Sequence, residues 1–142
     1  MKVCIIGNNL VSLALAKALI NKGLFVDIYH KENQKKYDHS RTLGISKSNV
    51  EYFNKHIINI DKILWDIKKI EIYTENFKKN EILNFSNSNH KIFSLLKNYQ
   101  LYEILKKSLL KNKFFKKKLV IKKIYRLLKI IVSSLIVTLL TL

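Results

Sequence analysis

The sequence predicts an α/β fold: a strand, glycine turn, helix and second strand open the chain, an additional small strand pair lies mid-chain, and helices follow towards the C-terminus. Three observations point there. KVCII at residues 2–6 is a short β-branched run that GNNL interrupts. Residues 11–22 are apolar on nearly every face over a helical length and stop at Gly23, which suits a left-handed C′ position. LFVDIY at residues 24–29 then returns to strand character. Strand, helix and strand within 29 residues make a βαβ unit, whose parallel strands need a crossover.

The remaining elements follow in order. Residues 30–40 (HKENQKKYDHS) have no apolar period and read as a surface loop. Residues 48–56 predict a helix capped by Ser46 or Ser48, and residues 60–65 a second short one. KIEIYTE at 69–75 and EILNFS at 81–86 alternate apolar and polar side chains with a period of two, which predicts a paired set of strands. Residues 99–111 are amphipathic: Leu101, Ile104, Leu105, Ser108 and Leu109 face one way, and Glu103, Lys106, Lys107 and Lys111 the other. Lysines 116–118 lead into a stretch without charge after Lys129, so the expected division is an α/β region at 1–115 and a basic and apolar tail at 116–142.

Composition narrows the function classes. A chain of 142 residues allows one modest core, and 48% apolar residues suffice to build it. The net charge of +17 would suggest an anionic partner, but Lys, Ile and Asn dominate a sequence without proline, and such drift scatters lysines without a target. The surplus concentrates late: residues 99–142 hold 11 basic groups and 1 acidic one. Aromatic residues interleave with lysine in FFKKK and KIYR, yet no helix-turn-helix, zinc-finger or RNA-recognition pattern accompanies them, so no specific nucleic acid is expected. A secretory leader is disfavoured because Gly7-Asn8-Asn9 interrupts the apolar run and Lys17 charges its centre. His30, His39, His56 and His90 fall in no metal spacing and read as surface or loop residues. One cysteine excludes an internal disulfide; Cys4, mid-strand, is expected as a buried inert thiol, and Trp65 as a core anchor.

The turn at Gly7 carries the candidate chemistry. A dinucleotide diphosphate rests on a helix N-terminus, where free N–H groups and the macrodipole favour anions, and the GxGxxG pattern uses its glycines for the turn, the phosphate approach and close helix packing. Here Gly7, Asn9 and Ser12 take those three places, with Asn8, Leu10 and Val11 between them. Asn tolerates positive φ, so the turn can form, but the Asn9 side chain would lie across the phosphate path. A βαβ unit of a doubly wound fold without nucleotide remains the other reading of the same residues.

More of the sequence resembles one family, the flavin-dependent hydroxylases of the ubiquinone-biosynthesis type, within the aromatic hydroxylase flavoproteins. The likeness runs from Met1 to about Lys113. MKVCIIGNNLVSLALAKALINKGLFVDIYH resembles the family's opening strand, turn, Leu/Ala-rich helix and second strand in register; SRTLGISKSNVEYF resembles the stretch after the ribose loop, with Arg41, Ser46 and Ser48 on family positions. WDIKKIEIYTE resembles the approach to the substrate region, and IFSLLKNYQLYEILKKSL the segment in which an asparagine precedes a helix beside the flavin.

The resemblance implies a Rossmann-like FAD-binding half. Its diphosphate would lie over Gly7, Asn8, Asn9, Leu10, Val11 and Ser12, its ribose near His30, and Arg41 would be a flavin-contacting cation. NAD(P)H would be the co-substrate, oxygen the oxidant and an aromatic quinone precursor the substrate, in the cytoplasm. Two departures stand out: His30 occupies the place of the ribose-binding acid, with Glu32 two positions late, and the family's downstream Gly-Asp pair has no counterpart. The expectation is therefore a truncated or frameshifted product with no turnover of its own and no assignable catalytic residue. The alternative is a non-enzymatic, basic, membrane-associated α/β protein without cofactor.

Lys122, Arg126 and Lys129 would share one helix face ahead of the uncharged residues 130–142. Those residues would extend about 20 Å as helix, short of a hydrocarbon core of about 30 Å. The tail therefore predicts attachment to an anionic membrane surface, at the inner face, rather than a span; β-aggregation is its other fate.

Overall fold

The computed structural model describes residues 1–31, 39–74, 81–86 and 92–119. Glu32, His90 and residues 120–142 of the expected tail lie outside them. In chain order the elements are β1 (Lys2–Ile6), α1 (Leu10–Asn21), β2 (Phe25–His30), β3 (Thr42–Ile45), α2 (Lys47–Tyr52), β4 (Trp65–Ile67), β5 (Lys69–Tyr73), β6 (Glu81–Ser86), β7 (Phe93–Lys97), α3 (Asn98–Leu110) and β8 (Phe115–Leu119). The chain is mixed α/β and divides into two compact units, Met1–Tyr37 with Tyr102–Leu142, and Asp38–Leu101.

In the first unit β1 and β2 pair in parallel, Val3 beside Val26 and Ile5 beside Ile28, and β8 adds in parallel to the far side of β2, giving the order β1-β2-β8. Helix α1 is the crossover that the parallel pair requires. It ends as expected: Gly23 has φ +78 and its N–H donates to the Ile20 carbonyl. Strand alternation puts Ile5, Val26 and Ile28 on one face, and these are buried together with Leu13, Ala16 and Ile20 of α1 and Tyr102, Leu105 and Leu109 of α3. Leu105 and Leu109 carry out the expectation for that helix; Tyr102 joins them in place of the half-buried Ile104 and Ser108.

The opposite face of the same sheet explains Cys4. Expected to be buried, it alternates with buried Ile5 and is exposed, because β1 pairs on one side only among the described residues. β8 was hidden in the sequence by its three lysines. Among the described residues it is an edge strand whose charge deters pairing with another chain; the Lys118 ammonium reaches Asp27 at 2.8 Å, and burial, then Lys106, lowers the Lys117 pKa. The strand spans the expected boundary between residues 115 and 116.

The second unit contains the antiparallel sheet β3-β7-β4 and the pair β5-β6. The β5-β6 pairing is the one expected from the period of two, with Lys69 opposite Ser86 and an irregularity at Ile72/Tyr73. Ser46 caps α2 through Asn49 N–H at 3.3 Å, and a π-helical turn, Phe53–Ile57, continues it. The short helix expected over 60–65 is a single 3-10 turn, Asp61–Ile63. Asn54 and Asn59 both donate to the Asp61 carboxylate, and Asn54 accepts the Ile60 N–H, so side chains close this loop early. Trp65 consequently begins β4 at a sheet edge and is 74% exposed, not a core anchor.

Candidate functional site

The Gly7 turn forms where β1 hands over to α1. Gly7 N–H extends the parallel ladder to the Tyr29 carbonyl at 2.9 Å, and its φ of +131 is one that side chains rarely tolerate. A Cβ at this position would meet Ser12 Oγ at 3.1 Å, so glycine gives both the turn and the close approach of the helix. Asn9 does not use positive φ. It is the N-cap, with φ −93 and ψ 177, and its Oδ1 accepts from Ser12 N–H and Ser12 Oγ–H, each at 2.9 Å. Asn at an N-cap is a strong local preference, and that signal was readable in the sequence.

The first-turn donors divide accordingly. Ser12 N–H is taken by Asn9, and Leu13 N–H bonds the Asn9 carbonyl. Leu10 and Val11 N–H have no partner among the described residues, as helix geometry requires of first-turn amides. Asn8 Oδ1 is buried without a hydrogen-bond partner, an orphaned polar atom in the turn itself. Val11 is 74% exposed at the mouth of this helix end.

His30 closes β2 and belongs to the same unit. Its Nδ1 lies 2.9 Å from the Lys31 carbonyl, which can only accept, so Nδ1 is the protonated nitrogen. A neutral ring then offers Nε2 as one acceptor, where a carboxylate would offer two oxygens. Arg41 lies in the other unit, just before β3. Its side chain is exposed, and its carbonyl accepts Asn98 N–H at 3.0 Å, which ties β3 to the start of α3. That unit also holds a largely apolar pocket of about 260 Å³, walled by Thr42, Trp65, Leu95, Leu96 and Gln100.

One charged cluster escaped the sequence reading. Asp27, 2% exposed, receives Lys118 at 2.8 Å and Lys2 at 2.9 Å. The Lys118 hydrogen bond, then that of Lys2, holds its carboxyl below the usual range, against burial. Lys118 is raised by the same bond to Asp27 and then by Tyr29, whose hydroxyl it reaches at 3.3 Å. The only hint in sequence was an acid inside an apolar strand.

The sequence matches no established family model and no curated protein. Solved structures do match. p-Nitrophenol 4-monooxygenase PnpA from Pseudomonas putida DLL-E4 aligns with a TM-score of 0.63 at 12% identity, over 83% of this chain and 32% of that one. 2,6-Dihydroxypyridine-3-hydroxylase from Arthrobacter nicotinovorans aligns at 0.58 and 16%, over 82% and 28%. Klebsiella pneumoniae HpxO, solved with FAD and uric acid, aligns at 0.62 and 14%, over 82% and 30%. The chain shares the fold of the aligned part of these structures. It spans about a third of the length of these structures.

Proposed function

We propose that the chain is the FAD-binding segment of a flavin-dependent aromatic hydroxylase, of the type that acts on quinone precursors with NAD(P)H as co-substrate. The observation that carries this reading is the turn: a glycine at φ +131 leads the first strand of a parallel sheet directly into the N-terminus of a 12-residue helix with two free amides. That arrangement fits a diphosphate by backbone donors and helix dipole. The likeness to monooxygenases, one of them complexed with FAD, supports the choice among dinucleotides.

The residues would divide the work as follows. Leu10 and Val11 N–H would hold the diphosphate, and Ser12 N–H would join them if its cap moved. His30 Nε2 would accept from one ribose hydroxyl; Arg41, in the other unit, is a flavin-contacting cation by the resemblance alone. FAD, when bound, supplies the electron transfer and oxygen chemistry; the protein binds and orients it. The chain spans about a third of the length of its structural neighbours, and what is proposed of it is the binding of FAD.

Titration with FAD, followed by flavin fluorescence and by the visible spectrum after desalting, tests this directly. Wild-type protein is expected to retain yellow colour, and Gly7→Ala to lose it, with a stability loss of about 1–3 kcal/mol from the strained φ. Colourless wild-type protein in excess FAD would overturn the reading in favour of a cofactor-free basic α/β protein.

A further inference from the structure

We infer that the Asn9 carboxamide is a built-in competitor for the diphosphate, occupying the donor that an anion would use and setting how tightly this turn binds a dinucleotide; the inference rests on the FAD reading above. Asn9 Oδ1 accepts from both Ser12 N–H and Ser12 Oγ–H at 2.9 Å. A helix N-terminus offers few donors, and an acceptor already seated on one must leave before a phosphate oxygen can take it. A glycine at residue 9 would have no such acceptor. Ser12, a residue only 9% exposed, doubles the effect: its hydroxyl is also spent on Asn9, so a single side chain holds two donors.

No backbone change is required to release them. Asn9 has an ordinary extended conformation, and rotation of its side chain alone would free both groups. The turn therefore has two states, self-capped and open to an anion. A ligand reaches the second only by displacing a cap, which lowers its apparent affinity by the fraction of molecules that are capped.

Calorimetric titration with ADP, which carries the diphosphate, ribose and adenine of FAD, separates the outcomes. Asn9→Gly is a near-neutral N-cap change, so the variant folds, and it is expected to bind ADP about twofold more tightly than wild type, the size of the cap that glycine gives up. Asn9→Asp keeps a capping acceptor, adds negative charge, and is expected to lose binding while its melting temperature stays at or above that of wild type. Equal affinity of wild type and Asn9→Gly, or undiminished binding by Asn9→Asp, would overturn the competition while leaving the FAD reading intact. Absence of ADP binding in wild type and Asn9→Gly alike would overturn both. A Ser12 amide proton resonance that does not move between wild type and Asn9→Gly would also overturn it, since that amide is the one released.

Discussion

Asp27 is the single acidic residue in the sheet of the first unit, and its two lysine partners come from opposite ends of the chain. Its folded carboxyl sits below its ordinary value of 3.8, so its contribution to stability is present above that value and is lost as pH falls through the lowered one. Lys118 works in the other direction. Raised above 10.5, it contributes below that value and loses its contribution as pH climbs through the raised one. Asp27→Asn is expected to lower unfolding stability by about 1 kcal/mol at neutral pH, a modest figure because both ammonium groups remain largely hydrated. It should also flatten the acid and alkaline limbs of the stability profile, measured by urea denaturation across pH. An unchanged profile would show the pairs to be inert. Nothing in residues 2, 27 and 118 taken singly announces this cluster, whereas the Gly7 turn and the Asn9 cap depend on neighbours within five positions and were open to local reasoning.

The spacing of Leu101, Ile104, Leu105, Ser108 and Leu109 predicts α3; Leu101, Leu105 and Leu109 are at most 3% exposed, and Ile104 and Ser108 are half-buried. Leu110 lies one step round the helix and is 57% exposed. Leu105→Ala is therefore expected to cost about 2–5 kcal/mol in chemical denaturation and Leu110→Ala less than about 0.5. Similar costs at both positions would mean that the helix is not seated on that stripe. Strands were less legible. The β5-β6 pair alternates apart from the irregularity at Ile72/Tyr73 and the adjacent Ile82 and Leu83, but β3 has a glycine in four residues and β8 three lysines in five, and neither shows the pattern. Pairing with β7 and β2 makes them strands, which is a tertiary cause overriding a weak local preference. Trp65 was misjudged for the same reason: it lies on an edge strand next to a pocket, and composition alone cannot distinguish that place from a core.

At the scale of the molecule the basic surplus divides in two. Lys118 is paired with Asp27 in the sheet, so it is not available to an anionic surface in the way Lys122, Lys123, Arg126 and Lys129 are expected to be. No helix among the described residues is long and apolar enough to cross a membrane. Peripheral attachment through residues 120–142 is proposed from their charge and hydropathy. The full chain should sediment with anionic vesicles at low salt, release as salt rises, and lose binding when shortened to Leu119, each basic group near the surface contributing about 1 kcal/mol. Equal retention by the shortened chain, or stronger retention on DNA than on vesicles, would remove the tail from this role.

Near neighbours along the chain suffice for the βαβ opening, the glycine stop of α1, the β5-β6 alternation and the helical spacing of α3, and they narrow the α2 cap to Ser46 or Ser48. Those features follow from side-chain spacing and from the conformations glycine and capping residues allow, and both act within a few positions. Contacts between distant segments set the order β1-β2-β8, the outward faces of Cys4 and Trp65, and the joining of Lys2, Asp27 and Lys118. The period of a segment says that one face is apolar, but the partner that covers that face comes from a distant part of the chain and is chosen by how the elements pack.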